Sequence, residues 1–327
     1  MPEMNPLTDL QFKSVNFSGL TSGPRLIILG AVHGTETCGT RAIQRVIEDI
    51  DSKRLSITGG SVTFVPVTNP LAYARGHREG ERNLNRNLTP KDDPVDFEDR
   101  VANWLCPLLA RHEVLLDLHS FQAHSEPFVM IGPMDNSGDV EPFSRATQER
   151  ALARRLGVGR CVGGWLSTYA LGVERRKREA IAAGRLPDPK TDDKRYGVGT
   201  TEYMRSVGGY AVTLECGQHA DPSAPEVAYQ AILRTLAFLG ATPGTAPEPI
   251  DKMEALSIQE VTDRRHADDT FSRTWASFDR VAKGDLIGHR HDGSAVLAEH
   301  EGVILFPDAK AKVGREWFYL ARPNPTF

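Results

Sequence analysis

Short apolar runs alternate with helical patterns through the first three quarters of this 327-residue chain, and that order leaves few folds open. Arg25 to Gly30 reads as a buried strand, after which Ala42, Ile43, Val46, Ile47 and Ile50 recur at helical spacing. Ser61 to Val67 reads as a second strand. Phe97, Val101, Trp104, Leu105, Leu108 and Leu109 mark a helix, and Val114 to Leu118 a third strand almost at once. Further strands are expected at Phe128 to Ile131 and Ala211 to Leu214, with helices near Ser144 to Leu156 and Ala224 to Leu239. Strands separated by helices imply an α/β sheet with helices on its faces.

The stretch GATPGTAPEP after Leu239 has the composition of a linker. We therefore expect a first domain over 1–245 and a smaller C-terminal all-β domain over 246–327, with strands at Asp285 to Gly288, Ala295 to Ala298, Val303 to Phe306 and Trp317 to Leu320. Residues 174–200 are polar, charged and broken by Gly and Pro, which suits a solvated helix with a surface loop or, more pointedly, a lid.

Lys plus Arg number 39 against 43 Asp plus Glu, a net charge of −4, so no global basic field favours nucleic acid or an anionic membrane. No apolar run approaches the roughly 18 residues a membrane span needs. The opening MPEMNPLTDL has acid and proline where a signal peptide is basic and then apolar, so a cytoplasmic protein is expected. Cys38, Cys106, Cys161 and Cys216 form no CxxC pair and read as buried thiols.

In an open α/β sheet, ligands bind beyond the carboxyl ends of strands. The strand ending at Gly30 runs into His33 and Glu36, the one ending at Leu118 delivers His119, and the one ending at Leu214 delivers Glu215. Two His and one Glu are a common ligand set for catalytic zinc, which keeps a fourth position for water. His33, Glu36 and His119 would complete that set and leave Glu215 to handle the proton of that water. Asp117 is expected to turn away from the site and to act, if at all, behind a ligand. The segment from Asn69 to Leu88 carries Arg75, Arg78, Arg82 and Arg86. Asn and Arg crowded beside a metal suit a carboxylate-bearing substrate, because guanidinium offers a bidentate fork. Without interleaved aromatics, nucleic-acid binding is the poorer reading.

The set GAVHGTE (Gly30 to Glu36), NP (Asn69, Pro70) followed by NLNR (Asn83 to Arg86), DLHS (Asp117 to Ser120) and TLECG (Thr213 to Gly217) resembles the succinylglutamate desuccinylase/aspartoacylase family, relatives of the zinc carboxypeptidases. The resemblance implies a mixed central sheet flanked by helices, with a small β domain after the catalytic one. It implies one zinc per chain on His33, Glu36 and His119, water activation by Glu215, and oxyanion stabilisation by Arg78. It also implies Asn69, Asn85 and Arg86 as substrate binders and Arg205 as the arginine that grips an acidic side chain, while Asn83 replaces a frequent Asp with no expected role. Tyr319 is the tyrosine that the β domain could contribute.

The activity so implied is hydrolysis of the amide of a small N-acyl amino acid, with no nucleic-acid or membrane partner and homo-oligomerisation left open. A carboxypeptidase acting on peptides and a non-catalytic metal- or ligand-binding relative are the competing readings.

Overall fold

The structure is a computed structural model and describes residues 10–186 and 193–324. In chain order its elements are β1 (Val15–Ser18), β2 (Thr21–Leu29), α1 (Cys38–Asp51), β3 (Gly59–Val65), α2 (Pro70–Arg75), α3 (Phe97–Leu109), β4 (Val114–Phe121), β5 (Phe128–Met130), α4 (Ala146–Ala153), β6 (Arg160–Gly163) and α5 (Trp165–Ala182). There follow α6 (Thr200–Ser206), β7 (Tyr210–Gln218), α7 (Ala224–Phe238), β8 (Glu254–Asp263), β9 (Thr270–Phe271), β10 (Arg280–Val281), β11 (Leu286–His289), β12 (Ala295–Leu297), β13 (Gly302–Leu305) and β14 (Glu316–Pro323).

The expected mixed sheet is present. Eleven strands run in the order β1-β3-β2-β4-β7-β5-β6-β8-β14-β13-β10, and β12-β11-β9 form a separate sheet of three. Strands β3, β2, β4 and β7 are parallel neighbours, whereas β5 runs antiparallel to β7.

Why the central strands read as continuous apolar runs follows from their burial on both faces. In β2, Leu26 and Ile28 pack with Ile43 and Val46 of α1 and Ile232 and Leu236 of α7, while Ile27 and Leu29 face Val101 and Leu105 of α3. All eight residues of β4 are buried. Helix α1 holds its apolar positions at the spacing read from the sequence, and α3 is capped by the Asp96 side chain accepting from Asp99 N–H at 2.8 Å.

Past the linker, β8 pairs in parallel with β6, with Arg160 opposite Glu254, so the C-terminal strands continue the same sheet. Phe121, Phe128 and Val162 pack there with Ile258, Leu305 and Tyr319, and a further core forms around Trp275, Ile287 and Trp317. The polar segment proves helical through Ala182, and its residues 187–192 lie outside the described ones. Its far end is tied down, since Asn87 N–H donates to Tyr196 O at 2.8 Å and Leu88 N–H to Val198 O at 3.0 Å. All four cysteines are buried free thiols, as expected.

Candidate metal centre

Parallel strands β2, β4 and β7 end side by side, and register puts His119 opposite Glu215. Beyond β2 the chain turns through His33 to Glu36, whose N–H donates to His33 O at 3.1 Å. Glu36 then sits between both imidazoles, with Oε1 2.9 Å from His33 Nδ1 and Oε2 2.7 Å from His119 Nδ1. The two rings lie 5.1 Å apart, centroid to centroid. Among the described residues, His33, Glu36 and His119 form the one group of three or more His, Cys, Asp or Glu able to hold a metal ion together.

Each ligand-type side chain has a support behind it. His33 Nε2–H donates to Asn83 Oδ1 at 3.0 Å, and His119 Nε2 lies 3.0 Å from Asp117 Oδ2. Asp117 therefore does not turn away. It lies two residues from His119 on one strand, where alternation puts both on the same face. Asn83, given no role from the sequence, is what fixes the His33 ring; its place inside NLNR is the only signal that could have found it.

The electrostatics follow from burial and from these neighbours. Burial, helped by the Arg78 cation, drives His33 down to about 4 and keeps it neutral. Burial also acts against protonation of His119, but Asp117 and Glu36 outweigh it and raise its proton affinity well above the ordinary value. Burial opposes ionisation of Glu36, yet His33 and His119 hold it well below the usual carboxylate range. Burial pushes the Glu215 carboxyl up to about 8, with His119 pulling the other way.

Does this donor set suit a cation? His33 Nδ1 and Glu215 Oε2 are buried and make no hydrogen bond. Buried polar atoms without partners are rare and ask for a reason. Two imidazoles and one carboxylate, those of His33, His119 and Glu36, offer ligand atoms within 4.8 Å of one another and supply the nitrogen and oxygen donors that zinc takes. The residues fit a zinc ion.

Of the four arginines in the Asn69–Leu88 segment, two build the loop and two face outward from it. Arg75 Nη1 donates to Gly80 O, and Arg82 binds Asp96 and Asp99 while its Nη1 donates to Arg86 O at 2.7 Å. Glu98 accepts from the N–H groups of Gly80, Glu81 and Arg82, closing the turn. Gly34 allows this loop to approach, because a Cβ there would lie 2.1 Å from the Ala72 carbonyl. Arg78 is thereby brought to the cluster, with Nη1 donating to Glu36 Oε1 at 2.6 Å. Arg86 stacks over Trp165 and Tyr169, at 5.2 and 4.9 Å from guanidinium carbon to ring centroid, and has no ion-pair partner among the described residues. Tyr319 stands behind it, 5.4 Å from the Trp165 ring.

Asn85 joins the same rim, its Oδ1 accepting from Thr200 N–H at 3.1 Å. Asn69 and Arg205 are placed differently. Asn69 caps α2, accepting from Ala72 N–H at 3.2 Å, and its amide donates to Glu98 at 2.9 Å. Arg205 is buried among three glutamates: Nε donates to Glu149 at 2.8 Å, Nη1 to Glu141 at 2.7 Å and Glu202 at 3.4 Å, and Nη2 to Ala211 O at 2.9 Å. Two further residues next to the cluster carry no sequence expectation. Ser120 N–H donates to Glu36 Oε2 at 3.3 Å, and Ser120 Oγ lies 2.8 Å from His219 Nδ1.

Comparison with known proteins places the fold. The family model of the succinylglutamate desuccinylase/aspartoacylase catalytic domain matches residues 22–136. No curated protein matches the chain. Among solved structures, succinylglutamate desuccinylase/aspartoacylase from Rhodobacter sphaeroides is similar with a TM-score of 0.70 at 18% identity, over 97% of this chain and 90% of that one. The product-bound ectoine utilization protein EutE (DoeB) from Ruegeria pomeroyi gives 0.69 at 18% identity, over 94% and 88%. Succinylglutamate desuccinylase from Vibrio cholerae gives 0.66 at 19%, over 95% and 85%. The chain thus has the fold of the succinylglutamate desuccinylase/aspartoacylase structures and matches that family's catalytic-domain model over residues 22–136, bearing out the resemblance carried by its motifs.

Proposed function

We propose that this protein is a zinc-dependent deacylase that hydrolyses the amide bond of a small N-acyl amino acid. The observation that carries the reading is the meeting of His33, Glu36 and His119 beside a buried Glu215 oxygen that has no partner. The family match supports the same class of chemistry, a deacylase.

His33, Glu36 and His119 would hold the ion, one per chain. Zinc supplies Lewis acidity, lowering the pKa of water from 15.7 to about 7 and polarising a carbonyl. Glu215, next to His119 across the β4–β7 pair, is the residue that would accept the proton of the attacking water and return it to the leaving nitrogen, since a cation held on the cluster favours its ionised form against the burial that raises it. Arg78 Nη1 reaches the cluster from the opposite loop and donates to the oxygen that gains charge as the carbonyl is attacked. Arg86, a half-buried cation with aromatic faces on one side, binds a substrate carboxylate, and Asn85 offers its amide beside it. Asn69 and Arg205 enter the proposal as supports of the rim rather than as substrate contacts, because their polar groups are already engaged. In this reading residues 1–245 carry the chemistry and 246–327 wall the substrate side through Tyr319.

The deciding experiment loads the protein with zinc and screens N-acetyl and N-succinyl amino acids for release of free amine. Turnover of at least one such compound, abolished by chelation and restored by zinc, is expected. Cleavage of peptides with no release from any N-acyl amino acid would replace this reading with a peptidase.

A further inference from the structure

We propose that Thr200 is a positioning residue that links the two imidazoles of the cluster through one belt of hydrogen bonds, closed at His119 by an ion-pair contact with Asp117. The inference rests on the zinc reading above. Starting from His33, Nε2–H donates to Asn83 Oδ1 at 3.0 Å, and the same oxygen accepts from Asn85 N–H at 2.9 Å. Asn85 Oδ1 then accepts from Thr200 N–H at 3.1 Å. The Thr200 hydroxyl donates to Asp117 Oδ2, and that oxygen lies 3.0 Å from His119 Nε2. The belt thus leaves one imidazole and arrives at the other, passing through the NLNR segment and the start of α6.

Three features single out Thr200 within it. Asp117 is fully buried, its Oδ1 makes no hydrogen bond, and the one hydroxyl that reaches its Oδ2 among the described residues is that of Thr200. Thr200 is itself 1% exposed, so no water replaces its hydroxyl without rearrangement. The preceding residue is glycine because a Cβ at position 199 would lie 2.8 Å from Asn85 Oδ1, and this close approach lets Thr200 N–H reach Asn85. The backbone of Thr200 therefore orients Asn85, on the substrate rim, while its side chain orients the carboxylate behind His119.

Groups behind a ligating histidine fix its ring and tautomer, and their loss costs about 10–100-fold in metal affinity. Both ends of the belt engage Nε2, which leaves each Nδ1 toward Glu36. Removing the Thr200 hydroxyl frees Asp117 and with it the His119 ring.

The test measures zinc affinity of the full chain by competition against a chromophoric chelator, without substrate. Thr200→Val is expected to raise the zinc dissociation constant ten-fold or more, and Thr200→Ser to restore it to within about three-fold, with unchanged circular dichroism. Asn85→Ala gives an independent arm, because Asn85 touches neither imidazole: it too is expected to weaken zinc, and its effect combined with Thr200→Val should fall short of the product of the two. Zinc binding within two-fold of wild type in folded Thr200→Val overturns the proposal. If that variant does not fold, wild-type affinity in Asn85→Ala overturns it instead. A wild-type chain that binds no zinc removes the metal reading itself, whereas tight zinc without deacylase activity removes only the proposed reaction and leaves the belt standing.

Discussion

Glu215, within β7, and Asp269, ahead of β9 in the C-terminal part, are both buried carboxylates, yet the protein treats them in opposite ways. Asp269 collects the N–H groups of Arg265, His266 and His291 and the Arg290 guanidinium, at 2.8 to 3.2 Å. Those bonds outweigh its burial and take it down to about 2. Glu215 has an oxygen with no partner at all, and burial takes it up to about 8. A carboxylate that the fold satisfies is part of the architecture; one that the fold buries and leaves unsatisfied is held for something that arrives later.

The largest expected effect breaks this contrast on the catalytic side. Glu215→Gln should cost about 10²–10⁴-fold in amine release, the range of a general base, while zinc content and unfolding midpoint stay at wild-type values. A loss of zinc would make Glu215 a ligand and end its assignment as the base. Next comes Arg205, which on geometry resembles Asp269 more than Glu215. Arg205→Met leaves Glu141, Glu149 and Glu202 buried around a missing cation, and urea titration should show a loss of about 3–5 kcal/mol. If stability holds and only the choice among substrates changes, Arg205 belongs with the substrate binders after all.

Asp269→Asn tests the other pole. With the folded pKa at about 2 against an ordinary 3.8, the substitution should cost about 2 kcal/mol at neutral pH. Because the folded value is depressed, that stabilisation is present above pH 3.8 and fades as pH falls through 2, so the wild-type advantage should vanish in acid. The smallest effect concerns Glu141, which burial raises to about 7 against the pull of Arg205. A raised acid stabilises below its unfolded pKa and loses that contribution as pH rises through the folded one. Glu141→Gln should therefore gain about 1 kcal/mol on wild type between pH 6 and pH 8, read from chemical denaturation at each pH.

Much of the cluster was legible before any coordinates because its members stand where apolar runs stop. His33 and Glu36 lie just beyond the apolar run of β2, His119 and Glu215 lie where the apolar runs of β4 and β7 stop inside those strands, and the parallel strands end on a common edge. Asn83 and Thr200 were not legible, since their importance lies in hydrogen bonds to residues far away in sequence. Arg205 shows the converse: the family resemblance implied a substrate contact, but a resemblance of motifs says nothing about the three glutamates that surround it. Strand β8 was missed for a related reason. Its alternation is weak, with exposed and buried positions intermixed, and its partner β6 lies some ninety residues earlier.

The sequence by itself determined where strands and helices form, which face of each is apolar, and which reactive side chains sit at strand ends, because these depend on local periodicity and on the loss of water from apolar groups. Only the tertiary structure decided which polar atoms are satisfied and which are left over. That outcome depends on donors and acceptors brought within about 3 Å from remote parts of the chain. The unpartnered oxygen of Glu215, the encircled guanidinium of Arg205 and the belt through Thr200 are all of that second kind.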